Sequence, residues 1–187
     1  MRIKPFASLA IVLALSTSAA AQEWTEFASP EERWTCTFPG APTMTESTWT
    51  SQFGAVLPAR VYSGPPGPAK YTVTVVDYNP IKRLLVEKSL SCPPATETCQ
   101  GIHDWGLGYW KNDLRGAVVF ATSKFLQRDA KLVNLMANFA DLVAGQEVQL
   151  TNNADQSRTF ASINMHDNRL VILEATVPKN YPPPTIF

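Results

Sequence analysis

SRTFASINMHDNRLVILEATVP, residues 157–178, holds two β-rich runs, Arg158 to His166 and Arg169 to Val177, on either side of Asp167-Asn168. That dipeptide suits the positive φ angles of a two-residue hairpin turn. With Asp167-Asn168 as the loop, Met165 pairs with Leu170, Ile163 with Ile172 and Phe160 with Ala175. One face then carries Met165, Leu170, Ile163 and Ile172, and the other Phe160, Val171, Leu173 and Val177. Both faces are apolar, so the hairpin belongs in the middle of a sheet with further layers above and below it. The expected class is α+β: a mainly antiparallel β-sheet with a few short helices packed on it.

Outward from this hairpin, Lys70 to Tyr78 alternates as a strand, with Tyr71, Val73 and Val75 on one face. Asn79-Pro80 stops it. Thr43 to Thr50 and Val56 to Tyr62 read as a second hairpin joined by Ser51-Gln52-Phe53-Gly54. Arg33 to Phe38 is a strand ending at Pro39-Gly40-Ala41-Pro42, and Ser29-Pro30-Glu31-Glu32 before it fits one capped helical turn. Ile81 to Leu90 and Ile102 to Leu114 have helical spacing. Residues 79–115 thus read as a helical and disulfide-loop insertion. Ala117 to Leu126, Leu132 to Val143 and Glu147 to Leu150 are expected as strands.

The chain begins as an export signal does: Arg2 and Lys4, an apolar core from Phe6 to Leu15, and small residues to Ala21. Ala19-x-Ala21 places cleavage before Gln22. The apolar core is about half the roughly 20 residues of a membrane span, and no Cys stands at the cut to be acylated, so no stable membrane anchor is expected in the mature chain. Residues 1–21 are read as the signal peptide and 22–187 as one α+β domain working in the periplasm or outside the cell. The whole chain has 16 Lys and Arg against 16 Asp and Glu; losing Arg2 and Lys4 leaves the mature part slightly acidic, without a basic run. Nucleic acid is therefore not an expected partner.

Three stretches together, Trp24-x-x-Phe27-x-Ser29-Pro30-Glu31 leading to Phe38-Pro39-Gly40-x-Pro42, YTVTVVDY at 71–78, and residues 157–178, resemble a group of uncharacterised small exported proteins of Gram-negative bacteria. Residues 24–78 also resemble the start of PsbP-type α-β-α sandwich domains. The resemblance implies that fold and an exported location, and no reaction. A final helix follows the last strand in such domains. Here Tyr181-Pro182-Pro183-Pro184 leads only to Phe187, so the C-terminal helix is expected to be lacking and residues 179–187 to form an extended tail. Apolar surface near the last strand would then be exposed.

Sites of chemistry are few. The two histidines, His103 and His166, fall short of a zinc site; no metal, cofactor or catalytic residue is expected. Glu174 lies mid-strand on a face expected to be partly covered, and a small periplasmic hydrolase or isomerase centred on it is the alternative function. The leading expectation is a non-enzymatic exported binding or accessory module with a protein or small-molecule partner. It would act through Trp105, Tyr109 and Trp110, through the hairpin tip at His166, Asp167 and Asn168, or through a sheet edge.

In an exported chain the three cysteines are expected as one bridge and one thiol. Cys92 and Cys99 enclose a short polar loop that a bridge would tie down. Cys36 alternates with Trp34 and Phe38 on an apolar face, as an inert thiol. Mass mapping of the non-reduced mature protein should recover a peptide joining Cys92 to Cys99; any peptide joining Cys36 to either contradicts the assignment.

Overall fold

The computed structural model describes residues 24–93 and 108–184. In chain order the elements are β1 (Thr25–Ser29), β2 (Trp34–Phe38), β3 (Thr43–Thr50), β4 (Val56–Ser63), β5 (Lys70–Asp77), α1 (Ile81–Leu90), α2 (Gly108–Leu126), β6 (Ala130–Ala140), β7 (Val143–Asn152), β8 (Arg158–His166) and β9 (Arg169–Val177). Strands β3 to β9 form a seven-stranded sheet in the order β3-β4-β5-β9-β8-β7-β6, with antiparallel pairing throughout, and β1 and β2 pair with each other.

The β8–β9 hairpin sits centrally with the expected register: Met165 pairs with Leu170, Ile163 with Ile172 and Phe160 with Ala175. Its first face, with Ala161, Ile163, Leu170 and Ile172, packs with Leu85 of α1 and with Ala117, Ala121 and Phe125 of α2. Its second face, with Phe160, Val171, Leu173, Ala175 and Val177, packs with Phe27 of β1 and with Trp34, Cys36 and Phe38 of β2. Both helices therefore cover one face, and the β1–β2 hairpin covers part of the other. Cys36 is unbridged, and burial pushes its thiol up to about 11, as an inert core thiol requires. Among the described residues no helix is long and apolar enough to cross a membrane.

Four expectations need correction. Ala117 to Leu126 is the second half of α2, not a strand. Its Val and Thr content favours strand locally, but Asp113, Ala117, Ala121 and Phe125 recur every four residues and are all buried, and that stripe packs on the sheet. The helix expected over Ile102 to Leu114 is described from Gly108 onward and continues to Leu126. Ser29-Pro30-Glu31-Glu32 makes no helical turn. Residues 25–29 are strand, the Glu32 amide donates to the Ser29 carbonyl, Arg33 has φ 58°, and the segment turns the chain from β1 into β2. Leu132 to Val143 is broken at Asp141 and Leu142, whose φ of 47° and 68° make the β6–β7 turn.

The tail after β9 turns at Pro178, where the Tyr181 amide donates to the Pro178 carbonyl, and Arg158 donates to the Tyr181 carbonyl. Exposed apolar surface is concentrated on β6 rather than beside the last strand. Tertiary cover explains the difference, since β9 lies mid-sheet between the helix-side core and β1–β2 while β6 is the far edge.

Ile163 is fully buried in a cluster of hydrophobic side chains, so Ile163→Lys, which buries a charge there, should cost at least about 3 kcal/mol in chemical denaturation. Val119→Lys, at an exposed site, should stay within about 0.5 kcal/mol. Equal effects of the two would contradict the central, two-sided burial of the hairpin.

Candidate functional site

Asp167 and Asn168 have φ of 46° and 58°, the double positive pair of a tight turn that Asp and Asn tolerate best. The tip is tied down on two sides. The Tyr78 amide donates to the Asn168 carbonyl at 2.8 Å, and the Asn168 side chain donates to Asn79 Oδ1 at 3.2 Å. From the β1–β2 turn, Arg33 forms an ion pair with Asp167, and His166 Nε2 stands 3.5 Å from the same carboxylate.

Next to this tip, between the β1–β2 turn and the sheet, lies a cleft of about 390 Å³ lined among others by Glu31, Glu32, Glu46, Asp77, Arg60 and Arg169. The sheet register builds its floor: Glu46 pairs with Arg60 across β3–β4, Arg60 with Val75 across β4–β5, and Asp77 with Arg169 across β5–β9. Glu32 closes the wall. Its nearly buried carboxylate accepts from Arg60 at 2.9 Å, from the Tyr62 hydroxyl at 2.7 Å and from Trp34 Nε1 at 3.1 Å. The bond to Glu32 raises the Arg60 pKa further, while burial, then its own bond to Glu32, raises that of Tyr62. Glu32 is thus spent on the protein's own groups, whereas Glu31 touches Arg60 only at 4.0 Å and is 88% exposed. Among the described residues the lining holds four carboxylates against two guanidiniums. Such a surface favours positive charge.

The expected site residues divide. His166, Asp167 and Asn168 are brought beside the cleft, with Arg169 in its floor. Trp110 is half-buried against the helix-side core, its ring 5.9 Å from Lys82 Nζ and 5.3 Å from Lys111 Nζ, so it lies across the sheet from the cleft. Trp105, His103 and Cys99 lie outside the described residues, as does the side chain of Tyr109, and the expected bridge from Cys92 to Cys99 falls there too. Glu174 is held by a two-pronged ion pair from Arg128, at 2.6 and 3.0 Å. It lies five residues along the hairpin from His166, roughly 17 Å at strand spacing, so the two cannot act on one substrate atom. Glu32, Glu46, Arg60, Asp77 and Arg169 were absent from the sequence-based candidates. The Ser51–Gly54 turn was the available signal, since folding β3 onto β4 about it sets Glu46 against Arg60.

A second polar cluster lies inside the molecule. Asp113 of α2 is fully buried and accepts from the Ser51 hydroxyl at 2.5 Å and from the Gln52 and Phe53 amides at 3.2 and 3.4 Å, fastening α2 to the β3–β4 turn. Burial raises its carboxyl above the usual value, an effect larger than the lowering by these bonds. With the folded pKa above the unfolded one, its contribution to stability is full below the unfolded value near 4 and is lost as pH rises through the folded value. Denaturation at a series of pH values should show wild-type stability falling over that window, and Asp113→Asn should remove this component; an unchanged slope in the variant would contradict it.

No protein family matches this chain, and no curated protein does. Among solved structures the chain is similar to the solution structure of cyanobacterial PsbP (CyanoP) from Synechocystis sp. PCC 6803, at 10% identity with a TM-score of 0.44, over 90% of this chain and 88% of that one.

Proposed function

We propose that the chain is an exported, non-enzymatic binding module that seats a small organic cation in the cleft beside the β8–β9 turn. The observation carrying this reading is the excess of carboxylates in the lining, where Glu32 engages Arg60, Glu31 reaches the same guanidinium only at 4.0 Å, Asp77 accepts from Asn79, and Glu46 lies opposite Arg60 across β3–β4. A volume of about 390 Å³ suits a molecule of metabolite size. A cation about 4 Å from one partly exposed carboxylate gains roughly 1 to 4 kcal/mol before desolvation is subtracted. Modest, salt-sensitive affinity follows. In the same reading the mature domain begins at Gln22, works in the periplasm or beyond, and is a PsbP-type sandwich. The hydrolase or isomerase reading around Glu174 is less well supported, because Arg128 occupies both oxygens of that carboxylate.

Calorimetric titration of the mature protein with a panel of primary amines, guanidinium compounds and quaternary ammonium ions, set against matched carboxylic acids, tests the cleft. Binding of at least one cation class and of no acid is expected. Glu46→Gln should weaken binding about fivefold or more, the equivalent of about 1 kcal/mol. Absence of any cation binding, or affinity indifferent to Glu46→Gln, would overturn the assignment.

A further inference from the structure

The two edges of the seven-stranded sheet differ in chemistry. β3, TMTESTWT, is polar along most of its length, as an edge that avoids pairing should be. β6, AKLVNLMANFA, is long, and Leu132, Val133, Leu135, Met136 and Phe139 are all exposed; Leu142 in the adjoining turn is 95% exposed. Its single charge is Lys131. On its inner side β6 is paired with β7 along its length, broken only by the irregularity between Leu132 and Asn134, and its outer side carries the backbone donors and acceptors that an added strand would use.

The sequence of β6 is self-complementary in one direction. Antiparallel pairing of two copies about a two-fold axis at Met136 sets Asn134 opposite Asn138 and Leu135 opposite Ala137. It also brings Lys131 of each copy to the Ala140–Asp141 end of the other. The cation at one end of the strand then meets the acid following the other end, twice over. Parallel pairing would set Lys131 on Lys131 and Asp141 on Asp141. An axis perpendicular to the sheet keeps residues of one parity on one face, so the helix-bearing faces of both copies lie on the same side. Leu135 and Phe139 of the two strands would then form one apolar strip, joined by Leu132 because the register shift between Leu132 and Asn134 moves the alternation by one residue.

We propose that β6 is an interface for a second copy of this chain, joined antiparallel about Met136 into a continuous two-subunit sheet. The interface is independent of the cleft, which lies toward the opposite edge.

Sedimentation velocity across a concentration series, with circular dichroism confirming the fold of each variant, reads the assembly. A concentration-dependent dimer is expected. Lys131→Asp and Asp141→Lys should each weaken it about tenfold, and the double variant, with the charges exchanged, should recover it. Met136→Cys should form an intersubunit disulfide under mild oxidation, since facing residues in an antiparallel pair lie about 4.5 to 5.5 Å apart, within disulfide range. A chain monomeric at every concentration overturns the proposal. So does a dimer unaffected by the charge exchange and not trapped through Met136→Cys, which would place the contact elsewhere.

Discussion

Burial of the β8–β9 hairpin on both faces is the constraint on which the remaining structure depends. A strand pair apolar on one face needs only one partner layer. This one needs two, and α1 with α2 supply the first while β1–β2 supply the second. Each fully buried Leu, Ile or Val is worth about 1.5 to 3 kcal/mol, so neither layer is dispensable. Two-sided apolarity also has a cost in specificity. Where one face is polar, slipping the register by one residue is punished by the exchange of faces; here both faces would still be apolar. Register must therefore be held by other means. The double positive-φ turn at Asp167-Asn168 fixes the pairing at one end, and the Thr159 and Thr176 hydroxyls, 3.1 Å apart, and the Arg128–Glu174 pair mark the other.

That distinction explains what was legible in the sequence. The hairpin could be read to the residue because turn chemistry and strand periodicity agree there. The segment from Ala117 to Leu126 was misread because they disagree: AVVFATSKFL has the Val, Phe and Thr content of a strand, while the positions that pack, Ala117, Ala121 and Phe125, are small or widely spaced. Alanine on a helix face permits close approach to a sheet, and its weak apolar signal conceals the period. The β1–β2 turn was misread for a related reason. Ser29 and Glu32 have the spacing of a capping box, yet Glu32 finds Arg60, Tyr62 and Trp34, which lie within reach only once β1–β2 has docked on the sheet.

The cleft follows from the same docking. It draws Glu31 and Glu32 from one turn, Glu46 and Arg60 from one hairpin, Asp77 from the end of β5 and Arg169 from the start of β9. No linear motif joins positions spread so widely, which is why the candidate site was only half visible, through the hairpin tip at its rim. The contacts that fasten the tip, Arg33 to Asp167 and Tyr78 to Asn168, also set the distance between the cleft walls. Stability and site geometry are therefore not separable at this end of the molecule, and substitutions at the tip will be felt in the cleft without touching a ligand.

The opposite end shows what the two cover layers do not reach. α2 lies over β7 and β8, and β1–β2 over β4, β5 and β9. β6 falls beyond both, yet it keeps the apolar composition of a strand that is covered. A strand with polar side chains would hold its place in the sheet through backbone bonds to β7 equally well, so the hydrogen-bonded ladder does not account for five large apolar side chains left in water. Water-facing apolar area of that extent confers no stability on the folded monomer. Its energetic return comes only when something covers it. An edge strand whose sole cation and following acid complement each other under two-fold reversal fits a cover made of the same strand from another molecule.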